Sequence, residues 1–415
     1  MLALSELLGA TVYDPSGAAS GRVREVTLAP QEDRARIWSL IVKTKAGNRV
    51  LPFGAVSAIN GGVRAATAAA DWQAADGTEG LLLLERDLLD QQVIDINGRK
   101  VVRVNDVDLQ LEAPKEAGQT RPVLRVLSVD VGARGAIRRL LRGVAPRTAL
   151  HALLGKIPPR TIPWNFVDLI ETDPARRVKL KISHEGLAKL HPADIADIVE
   201  DLAPDERQAV FQTLDEEVAA DALEEVEPKV QKAIVESLDS GRAADIVEEM
   251  NPDAAADLLG DLSEDRSEQI LVQMEPEASQ DVVELLEHKE ETAAGRMTTE
   301  FLALPVGATV QNAVDSMREF EGGVEAVSTI YLVDSRGTLV GAVPLPRLVL
   351  AQASTPMLAL TQEPLVLAHE GVGDKEVAEL FDKYNLVTLP VVDDSNRLTG
   401  IITSDDVISM LRAKL

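Results

Sequence analysis

The sequence predicts a multidomain α+β chain, with N-terminal small β-barrels, an all-α helical-repeat superhelix in the middle and a duplicated α/β module at the C-terminus. Three observations carry this prediction. A pattern of alternating apolar residues and turn glycines occurs twice near the start, in 12–28 and again in 93–109. Prolines recur at one fixed interval through an acidic middle. A helix followed by two strands around a tight turn occurs twice near the end. A chain of 415 residues has room for several such cores.

In the N-terminal part, Val12, Tyr13, Asp14 and Gly17, followed by Val23, Val26 and Leu28, read as a hairpin of short strands. Val93, Ile94, Asp95 and Gly98, followed by Val104, Val107 and Leu109, repeat it. A second echo links Arg49-Val50-Leu51-Pro52-Phe53 to Arg160-Thr161-Ile162-Pro163-Trp164. Two copies of a small barrel, at 1–80 and 81–175, account for both echoes, with the Gly/Ala-rich run 60–80 as linker. Arg134, Arg138, Arg139, Arg142 and Arg147 surround Ile137, Leu140 and Leu141 in the second copy, which reads as a short basic amphipathic helix. It suits a lid, a face docked on the acidic segment, or peripheral contact of 134–147 with anionic lipid.

Segment 184–291 holds 32 Asp/Glu against 7 Lys/Arg, nearly the whole formal charge of -26. Pro204, Pro228, Pro252 and Pro276 mark its period, and runs such as Ile195, Ile198, Val199 and Leu202 place apolar residues on one helix face. Each unit therefore holds two short helices, and Asn251-Pro252-Asp253 shows the cap-then-proline start. Helix pairs of fixed period bury their apolar stripes on the next pair and stack as a solenoid.

The last region, 295–415, divides at about 353/354. Helices at 310–320 and 374–384 precede the strand pairs 329–334 with 339–343 and 388–393 with 398–403.

Composition excludes several functions. Net charge of -26 and 3 % aromatics argue against a nucleic-acid partner. The absence of cysteine fits a reducing compartment and excludes thiolate zinc and iron–sulfur sites. The start, Met1-Leu2-Ala3-Leu4, has no basic n-region, and the charge-free stretch 348–362 is shorter than the about 20 apolar residues of a membrane span. A cytoplasmic protein without a transmembrane segment is expected. The histidines, His151, His184, His191, His288 and His369, form no catalytic or zinc motif, and there is no Walker A loop or G-x-S-x-G elbow. No enzyme activity is expected.

Three resemblances sharpen these expectations. LLGATVYDPSGAASGRV and LLDQQVIDINGRKVVRV resemble PRC-barrel sequences. LPVVDDSNRLTGIITSDDVI resembles the second half of a tandem CBS pair, a regulatory module that binds nucleotides or responds to cations and is usually dimeric. HPADIADIVEDLAPDERQ, RAADIVEEMNPDAAADLL, AAGRMTTEFLALP and LPVVDDSNRLTGIITSDDV together resemble the cytoplasmic region of MgtE magnesium transporters. That resemblance implies magnesium bound between the acidic helices and the CBS pair, where it holds a pore shut. The matching positions are Asp221, Asp253 and Asp257, the last two on one helix face at i and i+4. Magnesium is a hard cation satisfied by one or two carboxylates and waters. Two carboxylates about 6 Å apart in water repel by roughly 0.7 kcal/mol, so several pairs form a switch that a bridging cation reverses.

The CBS half departs from the family pattern. Gly371-Val372-Gly373 replaces an acidic loop, Gln352 and Ala353 replace another acidic spot, and Arg347 stands where an aspartate is usual. Arg347 is read as a fixed salt bridge to the helical region. The CBS resemblance also implies a ribose site at Thr403 and Asp406, although Thr403 equally fits an N-cap of the final helix. In the first copy Pro344 and Arg347 take those places. The expected function is a magnesium-sensing regulator without a pore, homodimeric through its CBS domains and acting on a separate membrane transporter. An adenine-nucleotide sensor and a ligand-free scaffold are the alternatives.

Overall fold

A computed structural model describes residues 2–413 apart from 76, 78–79, 113–121, 142–153, 155–156, 172–183, 290, 321–326 and 362. The chain divides into two compact units, Met1–Val230 and Gln231–Leu415.

The first unit opens with β1 (Leu2–Ala3) and α1 (Leu4–Leu7), then β2 (Thr11–Tyr13), β3 (Ala19–Leu28), β4 (Ile37–Thr44), β5 (Gly47–Pro52), β6 (Val56–Ile59), β7 (Val63–Ala65) and β8 (Gln73–Ala74). The second β copy follows: β9 (Leu82–Leu83), α2 (Leu84–Asp87), β10 (Gln92–Asp95), β11 (Lys100–Arg103), β12 (Asp106–Glu112), β13 (Val123–Asp130), α3 (Ala133–Leu140), β14 (Thr161–Pro163) and β15 (Val167–Leu169). The first copy's strands form one sheet in the order β6-β7-β2-β3-β4-β5-β8, with β9 added on β3. The second copy's form β1-β12-β13-β14 and β11-β10-β15.

The copies thus exchange their first strands: β1 pairs with β12, and β9 pairs with β3. One core is common to both, with Val26 and Leu40 from the first copy and Val107 and Val129 from the second in a single buried cluster. Two separate barrels were expected; the exchange joins them instead. The expected linker 60–80 is also folded at its described residues. It supplies β7 and β8, and it buries Trp72, whose Nε1 donates to Thr67 Oγ1 at 3.1 Å. Its Gly/Ala composition hid that anchor.

The echo between the β copies has a chemical counterpart. Glu25 accepts hydrogen bonds from Val26 N (2.8 Å), Glu85 N (2.8 Å) and Arg86 N (3.2 Å), so it caps α2 of the other copy. Asp106 accepts from Val107 N (2.8 Å), Ser5 N (3.1 Å) and Ser5 Oγ (2.5 Å), and caps α1. A helix N-terminus carries unsatisfied amides and partial positive charge, which a carboxylate meets well. Each copy supplies the cap for the other.

The basic helix α3 turns its charge inward. Arg138 donates from Nε to Asp106 Oδ2 at 2.6 Å and from Nη2 to Asp108 Oδ1 at 3.1 Å, and lies 3.9 Å from Asp130. Arg139 pairs with Asp90 at 2.5 Å. These two arginines hold acids of their own unit. Arg142 and Arg147 lie outside the described residues.

The acidic helices begin in this unit with α4 (Pro192–Glu200), α5 (Pro204–Phe211) and α6 (Glu216–Glu224); α7 (Pro228–Ser237) runs across the division. The second unit continues with α8 (Ser240–Val247), α9 (Pro252–Asp261), α10 (Glu264–Leu271) and α11 (Pro276–Leu286). The helices start at an even interval, two to each proline period, and proline opens α4, α5, α7, α9 and α11. Packing joins alternate helices, α4 with α6, α8 with α10 and α9 with α11. Arginines close the ends: Arg207 donates to the carbonyls of Val199 (2.9 Å) and Glu200 (2.7 Å), and Arg266 to those of Val235 and Leu238 (2.8 Å each). Last-turn carbonyls lack intrahelical partners, and a cation suits the negative end of the dipole.

The two α/β copies complete the second unit. The first has β16 (Ala303–Pro305), α12 (Val310–Arg318), β17 (Thr329–Val333), β18 (Leu339–Pro344) and α13 (Leu345–Val349). The second has β19 (Ala368–His369), α14 (Asp374–Tyr384), β20 (Thr388–Val392), β21 (Leu398–Thr403) and α15 (Ser404–Ala413). Each sheet places a short strand parallel, and a long one antiparallel, to its central strand. The copies join through buried Tyr331, Leu339, Val392 and Ile401. The Tyr331 hydroxyl lies 2.8 Å from Thr388 Oγ1, and burial pushes its pKa up to about 12. The paired turns donate reciprocally, Leu339 N to Asn396 O (3.0 Å) and Leu398 N to Gly337 O (3.1 Å).

Candidate functional site

The site is built on α9 and on the strap 292–298 that leads into the first α/β copy. Pro252 opens α9 at a position where no backbone donor is needed. Ala255, Ala256, Leu258 and Leu259 are buried, which leaves Asp253 half-buried and Asp257 exposed one turn further on. The strap is fixed to the second copy on both sides. Ala293 N donates to Val372 O at 2.6 Å and Ala294 N to Glu370 O at 3.1 Å. Thr298 and Ile401 exchange a backbone pair at 2.8 and 3.0 Å.

The strap contains a 3-10 turn, Ala294–Arg296, whose last residue faces several acids. Arg296 Nη1 lies 3.8 Å from Asp257 Oδ2, and its Nε lies 3.6 Å from Asp374 Oδ1. The arginine side chain is 19 % exposed, that of Asp374 5 % and that of Asp257 57 %. Asp374 is the first residue of α14, where a carboxylate suits the helix dipole. Arg296 also acts on Asp406. Burial pushes the Asp406 carboxyl up from its ordinary value and Asp405 adds to this, while the Thr403 hydrogen bonds and Arg296 pull it back.

The predicted metal residues fall in two places. Asp221, on α6, belongs to the first unit and stands exposed, with enough surrounding protein to raise its pKa by desolvation. Asp253 and Asp257 belong to the second unit and share a face of α9. Among the described residues no group of three or more His, Asp or Glu is arranged as a metal site. Asp253 and Asp257 nevertheless supply hard oxygen donors of the type magnesium takes, one or two carboxylates with water completing the shell.

The predicted nucleotide residues hold each other. Thr403 N donates to Asp406 Oδ2 at 2.9 Å, and Thr403 Oγ1 bonds to the same oxygen. Thr403 precedes α15 and Asp406 is its third residue, so an acid reaches back to the cap amide as in a capping box. Arg347 corrects the salt-bridge expectation: its Nη1 donates to the carbonyls of Leu360 (3.1 Å) and Thr361 (2.5 Å) close by in the chain. Arg296 stands between the helices and the second copy instead. Sequence reasoning passed over it, although it lies in the stretch AAGRMTTE, and passed over Asp374, the acid that follows the acid-poor loop 371–373.

Residues 190–291 match the MgtE intracellular N domain and residues 360–413 the CBS domain. The chain therefore combines a domain of the MgtE N type with a CBS domain. In particular, it is similar to the magnesium transporter MgtE of Thermus thermophilus, 35 % identical over 133 residues, 32 % of this chain and 30 % of that protein. The chain spans about a third of the length of the curated relatives it matches. It is also similar to the crystal structure of the soluble part of a magnesium transporter, with 27 % identity, TM-score 0.53, and cover of 56 % of this chain and 91 % of that one. The cytosolic domain of the magnesium channel MgtE in complex with ATP gives 29 % identity, TM-score 0.52, and cover of 56 % and 94 %. No helix among the described residues is long and apolar enough to cross a membrane.

Proposed function

We propose that the chain is a magnesium-responsive regulator that acts on a membrane magnesium transporter from the cytoplasmic side. The observation that carries this reading is the pair Asp253 and Asp257 on one face of α9, with Asp257 3.8 Å from Arg296, which also faces Asp374 of the α/β half. Magnesium at these carboxylates, and at Asp221 in the first unit, neutralises the acidic helices and favours their closed superhelical packing. The likeness to MgtE cytosolic regions supports the same ligand and the same class of partner.

The exchanged β copies are PRC-like modules that pass the state to the partner. The exposed Val349, Leu350, Ile408 and Leu411 on or beside α13 and α15 give a second copy of the chain an apolar face, which supports a homodimer. The role is regulatory and involves no catalysis. Calorimetric titration of magnesium into the chelator-treated full chain tests the reading. A heat of binding that Asp253→Asn combined with Asp257→Asn removes is expected; no heat, or the same heat in the double variant, contradicts it.

Adenine-nucleotide sensing is the second reading. The ATP complex of a relative and the retained Thr403 and Asp406 favour it. A nucleotide there has to replace the Thr403–Asp406 cap, so Thr403→Ala abolishes ATP binding if ribose is held at this place.

A further inference from the structure

We infer that Arg296 is a resident cation that ties the acidic helix α9 to the second α/β copy in the absence of metal. Three observations converge on it. The backbone around Arg296 is pinned to the second copy by Ala293, Ala294 and Thr298, so the guanidinium is carried on a rigid support. Two of its acid partners come from different parts of the unit, Asp257 from the third helical period and Asp374 from the start of α14. The guanidinium is four-fifths shielded from water, where an ion pair is screened less than at the open surface.

The consequence concerns regulation. Acids facing one another across this contact would repel if left alone. A guanidinium is charged at every accessible pH and presents several donors, so its single positive charge attracts both acids and offsets part of their mutual repulsion. The contact therefore does not wait for a divalent ion. It goes beyond the magnesium reading, because it predicts a contact already formed when magnesium is absent. Among the described residues Arg296 acts on Asp257, Asp374 and Asp406.

Hydrogen exchange on the full chain, read at peptides covering 252–261 and 370–377, tests this. In chelator the unsubstituted chain keeps both segments protected. Arg296→Ala exchanges about fivefold faster there, the scale of a partly shielded ion pair. Arg296→Lys retains a charge and recovers part of the protection. Asp257→Asn, on an exposed side chain, gives the same loosening without risk to the core, and combined with Arg296→Ala adds nothing further.

Unchanged protection in Arg296→Ala, additive effects in the double variant, or loss of protection in the unsubstituted chain on chelation overturns the inference. Adding millimolar magnesium to Arg296→Ala separates the two proposals. Recovery of protection means that the freed acids take the divalent ion in place of the arginine. Failure to recover leaves the arginine tether intact and counts against magnesium at Asp257.

Discussion

Two arginines in this chain each face more than one carboxylate, yet their surroundings differ in kind. Arg138 bonds directly to Asp106 at 2.6 Å and Asp108 at 3.1 Å, and those acids are buried among strands. Arg296 lies 3.6 and 3.8 Å from Asp374 and Asp257, beyond hydrogen-bond reach, and Asp257 is mostly exposed. The first arrangement is part of a core. Burial opposes the charge on Arg138, but Asp106, Asp108 and Asp130 outweigh it and push its pKa up. The second joins a helix to an α/β copy through longer ion pairs, with one partner mostly exposed. Burial of the partner acids, more than their number, separates an arginine that holds a core from one that ties two elements at the surface.

The largest expected effect breaks the tight member of the pair. Arg138→Met leaves buried carboxylates without their cation and should destabilise the first unit by about 3–5 kcal/mol, measured by denaturant unfolding. The deficit depends on pH. Burial already raises the Asp130 carboxyl above 3.8, with Gly132 N and Arg138 pulling it back. Without the arginine the folded-state value rises further. A raised carboxylate favours the fold fully below its unfolded pKa, and that contribution is lost as pH rises through the folded value. The variant should therefore be closer to the unsubstituted protein at low pH than at neutral pH.

Glu25→Ala comes next. Three backbone amides lose their acceptor, and a cost of about 1–3 kcal/mol in the same unfolding transition is expected. Its effect should exceed that of Thr403→Val, which removes a cap bond at α15 worth about 1 kcal/mol by thermal unfolding. Arg296→Ala should be the smallest of all in global stability, about 0.2–1 kcal/mol, while changing exchange locally at α9. If Arg296→Ala unfolds the second unit as severely as Arg138→Met unfolds the first, the contrast between them is lost.

Periodicity made much of this fold legible. The even spacing of Pro204, Pro228, Pro252 and Pro276 corresponds to successive pairs of helices, and the strand pairs of the α/β copies fall at or next to their expected bounds. The echo between 12–28 and 93–109 pointed to a duplicated β region. It could not show that the copies trade strands, because exchange and separate closure need the same local pattern. Glu25 and Asp106 stand at equivalent places in that echo, but only the fold shows that each caps a helix of the other copy.

The site was less legible for a similar reason. Asp253 and Asp257 at i and i+4 were readable from helix geometry alone. Arg296 gains its meaning from Asp257, several turns of chain before it, and from Asp374, across a whole α/β copy after it, and no local pattern links the three. A basic amphipathic stretch such as 134–141 reads the same whether its arginines face water, lipid or buried acids. Arg347 looked like the bridging cation because it replaces an expected acid, yet nearby carbonyls claim it.

The most direct measurement is a difference map of hydrogen exchange over the full chain, with millimolar magnesium against chelator at constant ionic strength. Added protection confined to the acidic helices outside 252–261, with 252–261 and 370–377 already protected in chelator and no change at 104–112 or 123–140, is the predicted result. A map that is flat everywhere, or one whose changes centre on the Arg138 cluster, would contradict it.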